Sequence, residues 1–414
     1  MIKNISFVLF SLLSVILLLL LITLTQCTDG PTIPGENENV RTLSKTEEGI
    51  VSSSAVFGFN LIKKISQTQK DENIVVSPLS VSTSFGMVLN GADGETYDQI
   101  KSVLGLNPFV QDDINKSYQS LENMLKGIDN KVEFSSANSV WYANGFNVES
   151  DFLDMTKKYF NAEVTEADFS DPATLDMIND WVKRSTNDKI EKIIERINRD
   201  VVMYVINAIY FKGTWKYQFD KNATRDNDFH VTPNQSVPCK MMAQKQKFYY
   251  FSGTDYQAIK LPYGNQSYNM MILLPSNLTA VDNLLDGLSA HEFNIIKNSL
   301  EEKELTVLLP KFKVEYERKL NDGLINMGMI NAFMPGKADF TLVHKAGGIW
   351  ISEVKHKTFI DVNEEGTEAA AVTSIEFVRS LNGGYLKIDR PFVFIIYEEN
   401  TNTILFIGKI VNPS

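Results

Sequence analysis

The sequence predicts a mixed α+β fold with several sheets, gathered in one large domain. Three observations lead there. Helical signals concentrate in the first half of the chain and strand signals in the second, without a strict βαβ rhythm. No low-complexity linker divides residues 45–414. The chain has 414 residues and 43% hydrophobic content, enough for a large core.

Composition excludes several function classes. A formal net charge of −11 argues against nucleic-acid binding, which needs a basic patch. The two cysteines, Cys27 and Cys239, supply no disulfide framework. Four histidines lie far apart, and HExxH, CxxC, GxSxG and P-loop patterns are absent. The chain is therefore expected not to be an enzyme and to hold no metal or cofactor.

The elements follow in order. Lys3 precedes an uncharged run from Asn4 to Thr25, longer than the ~7–15 residues of a signal-peptide core and close to the ~20 that span a bilayer. It ends in "LTQC", which resembles a lipoprotein cleavage box with Gln26 where a small residue is expected. Residues 1–27 thus read as a signal peptide with lipidation at Cys27, or as an uncleaved membrane anchor. Either would export the rest, and residues 28–44 read as a flexible linker. "NIVVSPLSVSTSFGMVLNGA" predicts a short strand, then a helix with Ser77 as N-cap and Pro78 in its first turn. Asp171 and Pro172 repeat that start, and Leu175, Ile178, Trp181 and Val182 mark one helical face. "VVMYVINAIYFKGTW" has strand character. "KFKVEY" alternates Phe312, Val314 and Tyr316 inward against Lys311, Lys313 and Glu315 outward. "IWISEVKHKTFIDV" reads as a strand, and "PFVFIIY" and "TILFIGKIV" as a buried antiparallel pair.

Between the last of these strands lies an unusual connection, "NEEGTEAAAVTSIEFVRSLNGG", Asn363 to Gly384. A loop of about twenty residues inside a compact domain is usually functional or disordered. Read as a strand, it places Thr367, Ala369, Ala371, Thr373, Ile375 and Phe377 on one uncharged face. Glu368, Ala370, Val372, Ser374 and Glu376 fall on the other. The pattern is either a coincidental alternation in an exposed loop or that of a loop able to become a strand with one buried face.

Here the chain resembles the serpin family. "NEEGTEAAAVTS" is similar to the serpin hinge, the proximal part of the reactive-centre loop. "NIVVSPLS", "NAIYFKGTW", "LPYGNQSYNMMILLP", "LPKFKVEY", "ADFTLV" and "DRPFVFII" fall in serpin order, making seven motifs across residues 45–414. The chain looks like a prokaryotic, exported member. The resemblance implies three β-sheets, eight or nine helices and an exposed reactive loop. It also implies suicide inhibition. A target serine protease attacks the loop, forms an acyl-enzyme, and is trapped when the cleaved loop enters the main sheet. Such a fold is metastable before cleavage.

The resemblance assigns roles residue by residue. Glu364, Glu365, Gly366, Thr367, Glu368, Ala369, Ala370 and Ala371 match the hinge, with Gly366 as pivot and small uncharged side chains entering first. Ser77, Ser80, Asn207 and His356 match the shutter, where the sheet opens. Trp215 and Glu364 match the breach, where the loop first enters. Family spacing places the attacked bond at Ser380–Leu381. Arg379, one residue earlier, matches a trypsin-like pocket and favours Arg379–Ser380; serine at the attacked position would suit an elastase- or subtilisin-like enzyme.

In "DDINKSYQSLENMLKGIDNK" the lysines are offset by Asp112, Asp113, Glu122 and Asp129, so no heparin site is expected. The expected partner is a protease met by a monomer. A non-inhibitory binding or chaperone serpin, or an inhibitor of cysteine proteases, are the competing readings.

Overall fold

Ser44 starts the first helix. Its hydroxyl accepts from Glu47 N, and the Glu47 carboxylate accepts from Ser44 N, closing a capping box on α1 (Lys45–Ser66). The computed structural model describes residues 41–198, 200–278, 280–366 and 384–414. The described residues belong to one compact unit. Strand β1 (Ile74–Val76) leads into α2 (Pro78–Leu89), where Ser77 accepts from Ser80 N at the N-cap and Pro78 occupies the first turn. α3 (Gly94–Val103) and α4 (Gln111–Gly127) follow. α5 (Ser150–Phe160) and α6 (Pro172–Ser185) alternate with strands, and Asp171 caps α6 as its sequence predicts. α7 (Val281–Gly287), α8 (Ala290–Ser299) and α9 (Asn321–Asn326) complete nine α-helices among the described residues.

The strands form three sheets. The largest has nine strands in the order β1-β14-β13-β8-β7-β6-β9-β12, with β5 added to β6. Its members are β5 (Arg225–Thr232), β6 (Gln235–Ser252), β7 (Tyr256–Pro262), β8 (Tyr268–Pro275), β9 (Glu301–Pro310), β12 (Gly384–Lys387), β13 (Phe392–Glu398) and β14 (Ile404–Ile410), besides β1. β13 and β14 are the expected antiparallel pair and are buried along their whole length. Their largely apolar runs place them in the core, and Lys409, buried on β14, pairs with Asp282 at 3.0 Å.

The other two sheets concern function. One is β3-β2-β4, built from β2 (Val132–Ala143), β3 (Glu163–Ala167) and β4 (Met203–Gly213). The other is the antiparallel pair of β10 (Phe312–Lys319) and β11 (Lys355–Val362). Phe312, Val314 and Tyr316 are buried on β10 while Lys313 and Glu315 are exposed, as the alternation predicts. β4 and β11 are edge strands of separate sheets that lie alongside each other. One expectation is corrected. The strand read over Ile349–Val362 begins only at Lys355. The apolar composition of residues 349–354 suggested a ladder, but their backbone groups are engaged elsewhere. Ile351 N donates to Ala332 O at 2.8 Å, and Val354 N donates to Asn321 Oδ1 at 2.8 Å.

Candidate functional site

The site is the slot between β4 and β11, with the chain that turns back from β11 at its top. Asn363 and Gly366 form an antiparallel bridge, so Glu364 and Glu365 make a two-residue turn. Gly366 is also bridged, antiparallel, to Thr214 just beyond β4. Trp215 N donates to Glu365 O at 3.0 Å and Phe219 N to Glu364 O at 2.8 Å, which fastens the turn to the β4 side. Gly366 has φ +127°, and an added Cβ would lie 2.2 Å from Gly213 O and 2.6 Å from Trp215 N. Glycine is required here for both reasons.

Each of the two described carboxylates of the turn, Glu364 and Glu365, has its own cation. Glu364 is buried; Lys311 Nζ sits 2.8 Å from its Oε2, and Thr224 Oγ1 donates to its Oε1 at 2.7 Å. Burial opposes ionisation of Glu364, but the Lys311 ammonium and the Thr224 hydroxyl outweigh it and hold the carboxyl below its ordinary range. Glu365 pairs with Lys221 on the exposed side. Trp215 is buried, its indole stacked on Tyr263 with centroids 4.2 Å apart and planes 10° apart. Its Nε1–H donates to Asn363 O at 3.0 Å, so one side chain ties the end of β11 to the end of β4.

Lower in the slot, polar groups are buried behind the sheet. Ser77 and Ser80, at the start of α2, are almost wholly enclosed. Ser80 Oγ donates to Asn207 Oδ1, and Asn207 Nδ2 donates to Asn138 Oδ1 at 2.7 Å and Ser136 Oγ at 3.1 Å. On the β11 side, His356 Nε2 accepts from Ser77 N at 3.1 Å. Accepting at Nε2 requires the neutral ring, and burial pushes the imidazole down to about 4. Ser77 and Ser80 thus link α2 to both edges of the slot. Every buried polar side chain in this set has a partner, which apolar surroundings demand.

The two faces of the slot differ. Ile209 and Phe211 of β4 and Ile360 and Val362 of β11 belong to the main core. Ile206 and Ala208 of β4 and Phe359 of β11 belong to a smaller cluster built around Ile178, Trp181 and Val182 of α6. Period two on both edge strands therefore defines an inner face behind the sheet and an outer face under α6.

Comparison with known proteins decides what family this slot belongs to. A family model described as serpin, serine protease inhibitor, matches residues 52–413. The chain is a serpin. Human neuroserpin is 34% identical over 380 residues, covering 89% of this chain and 92% of that protein. The thermophilic serpin Tengpin in its native state superposes with a TM-score of 0.80 at 32% identity, covering 90% of this chain and 95% of that one. Human thyroxine-binding globulin in complex with thyroxine superposes with a TM-score of 0.82 at 27% identity, covering 89% and 100%.

In this serpin the structure brings together Ser77, Ser80, Asn207, His356, Trp215, Glu364, Glu365 and Gly366 along one slot. Thr367, Glu368, Ala369, Ala370, Ala371, Arg379, Ser380 and Leu381 lie outside the described residues, as does Cys27 with residues 1–40. Sequence reasoning missed Lys311, Thr224 and Lys221 as partners of the hinge carboxylates, and Asn138 as partner of Asn207. Lys311 had been read only as an outward residue of its strand. For the two lysines the signal available was complementary charge across more than fifty residues of chain, and for Thr224 and Asn138 no local pattern gives one.

Proposed function

We propose that this serpin is an irreversible suicide-substrate inhibitor of serine endopeptidases. The protease serine Oγ attacks the carbonyl of Arg379, or of Ser380. An acyl bond forms, the peptide bond breaks, and the amine of the next residue takes up a proton and leaves with the C-terminal fragment. The freed N-terminal half of the loop then enters between β4 and β11 with the protease attached. The observation that supports this reading is the double bridge of Gly366, to Asn363 on one side and Thr214 on the other. It is the register of a strand already begun in the slot.

Continuing that register pairs Thr367 with Gly213 and Val362, Ala369 with Phe211 and Ile360, and Ala371 with Ile209 and Thr358. Thr373 falls opposite Asn207 and His356, and Phe377 opposite Met203. Directly opposed residues share a face. The uncharged face of the loop therefore meets the inner face of the slot, and the face carrying Glu368 and Glu376 turns outward. Two independent patterns agree in phase. The eleven residues 367–377 span β4 from end to end, about 36 Å at ~3.3 Å each. Insertion adds ladder hydrogen bonds on both edges and buries the apolar face, so the cleaved state is the more stable one.

Arg379 fits a trypsin-like pocket, and Ser380 an elastase- or subtilisin-like one. Similarity to thyroxine-binding globulin supports a carrier reading instead. Against it stand the small hinge residues Ala369, Ala370 and Ala371, which suit entry into a sheet. The N-terminal segment supports an extracytoplasmic location, secreted or tethered through residues 1–27. The test is incubation with trypsin, elastase and subtilisin, followed by denaturing electrophoresis and mass spectrometry of the released C-terminal peptide. A complex stable to denaturant supports inhibition; cleavage without complex supports a substrate or carrier.

A further inference from the structure

Downstream of the loop the chain rejoins the largest sheet as β12, which pairs in parallel with β9 and ends the strand order. Tyr385, the second residue of β12, is 58% exposed, the most exposed aromatic ring among the described residues. Opposite it stands Thr306 of β9, which in turn faces Lys245 of β6. Charges on this outer face are already matched among themselves. Lys245 pairs with Glu304 at 3.5 Å and Lys247 with Glu302 at 3.5 Å. Lys387, on β12, pairs with Asp389 at 3.3 Å. What the face offers to a partner is an aromatic ring set among neutralised charges.

Covalent reach fixes the occupant. Leu381 and Tyr385 are four residues apart, at most about 14 Å of extended chain. A protease of about 200 residues has a radius of gyration of roughly 16 Å. An enzyme holding Arg379–Ser380 or Ser380–Leu381 in its cleft must therefore overhang β12. We infer that Tyr385, with the outer face of β12 and β9 around it, is a secondary contact surface for the target serine endopeptidase, matched to an uncharged patch beside the leaving-group side of its cleft. The inference rests on the inhibitory reading for its occupant. It adds a determinant of specificity outside the loop.

The surface acts at one stage only. Cleavage leaves the protease acylated to the N-terminal half of the loop, while Tyr385 stays behind on β12. Contact at Tyr385 assists encounter and is broken when the loop inserts. It should change how fast the loop is attacked, without changing how acyl-enzyme divides between trapping and hydrolysis.

The test measures second-order rate constants for loop attack by trypsin, elastase and subtilisin on Tyr385→Ala, Tyr385→Phe and Trp350→Ala variants of the full chain. Trp350 is a control of similar kind, 44% exposed. It precedes the start of β11, whereas the hinge follows its end, about 26 Å away along eight residues. Tyr385→Ala should slow attack about tenfold with at least one protease, as loss of an aromatic anchor does. Its melting temperature and its partition between complex and cleaved product should be unchanged, and Phe should restore the rate. Because cleavage is counted as well as complex, the result stands even if the chain proves a mere substrate. Rates unchanged with every protease that cuts the loop, an equal loss in Trp350→Ala, a Phe variant as slow as Ala, or no cutting by any of the three would overturn it.

Discussion

Gly366 is bridged antiparallel to Thr214, across the mouth of the slot from the strand it has just left. With φ +127° and Gly213 O 2.2 Å from the position of an added Cβ, this contact tolerates no side chain. Gly366→Ala should therefore strain the turn by about 1–3 kcal/mol. Urea unfolding of the intact protein would read this as a lower midpoint with an unchanged slope. A midpoint equal to that of the parent would mean that the turn relaxes freely and the bridge constrains nothing.

Period two makes a sharper test of the slot. Thr367 continues the register onto the inner face, and Glu368 onto the outer one. Thr367→Arg would bring a guanidinium into the sheet without a partner, at several kcal/mol, so deacylation should outrun insertion and the inhibitor should become a substrate. Glu368→Arg, turned to the other side, should keep most of the complex. If both variants form complex equally well, or fail equally, the assignment of faces is wrong.

His356 gives the slot a pH dependence whose sign can be worked out. Its ring is held at about 4 in the fold against 6.5 for the ordinary group. Between those values the unfolded chain binds the extra proton and the folded one does not. Stability from the neutral ring is thus fully present above about pH 6.5 and is lost as pH falls toward 4. A difference of this size is on the order of 3 kcal/mol. Urea midpoints at pH 7, 5.5 and 4.5 should fall more steeply for the parent than for His356→Gln. Parallel curves for the two would remove His356 from the explanation.

Much of the fold is legible locally. Ser77–Pro78 and Asp171–Pro172 start helices because capping and a fixed φ act within one turn. Phe312, Val314 and Tyr316 declare a strand by alternation alone. Residues 349–354 misled for the same reason: their composition suits a strand, but Ala332 and Asn321, far away in sequence, claim their backbone groups. The separation of β4 from β11 is equally non-local, since no property of either segment says which edge stays unpaired. The turn at Gly366 had a local signal, a glycine set among helix formers, which a close backbone approach explains. Its ion pairs, Glu364 with Lys311 and Glu365 with Lys221, were not, because each joins distant strands or turns.

On the proposed reading, Arg379 sets which enzymes are met. Arg379→Ala should abolish complex formation with trypsin-like proteases, since an unfilled acidic pocket typically loses about 2–5 kcal/mol. Elastase- and subtilisin-like enzymes, reading Ser380, should be much less affected. The peptide released by a trypsin-like target should begin at Ser380. Peptides beginning at Leu381 with every protease, and undiminished trypsin inhibition by the variant, would place the attacked bond one residue later.

The central claim is that the slot between β4 and β11 is waiting for residues 367–377. Calorimetry on intact protein and on protein nicked only in the loop addresses it without any choice of target. Insertion should raise the melting temperature of the nicked form sharply, because each kcal/mol gained moves the midpoint of a domain this large by roughly 1–2 °C. Intact and nicked proteins melting at the same temperature would contradict it.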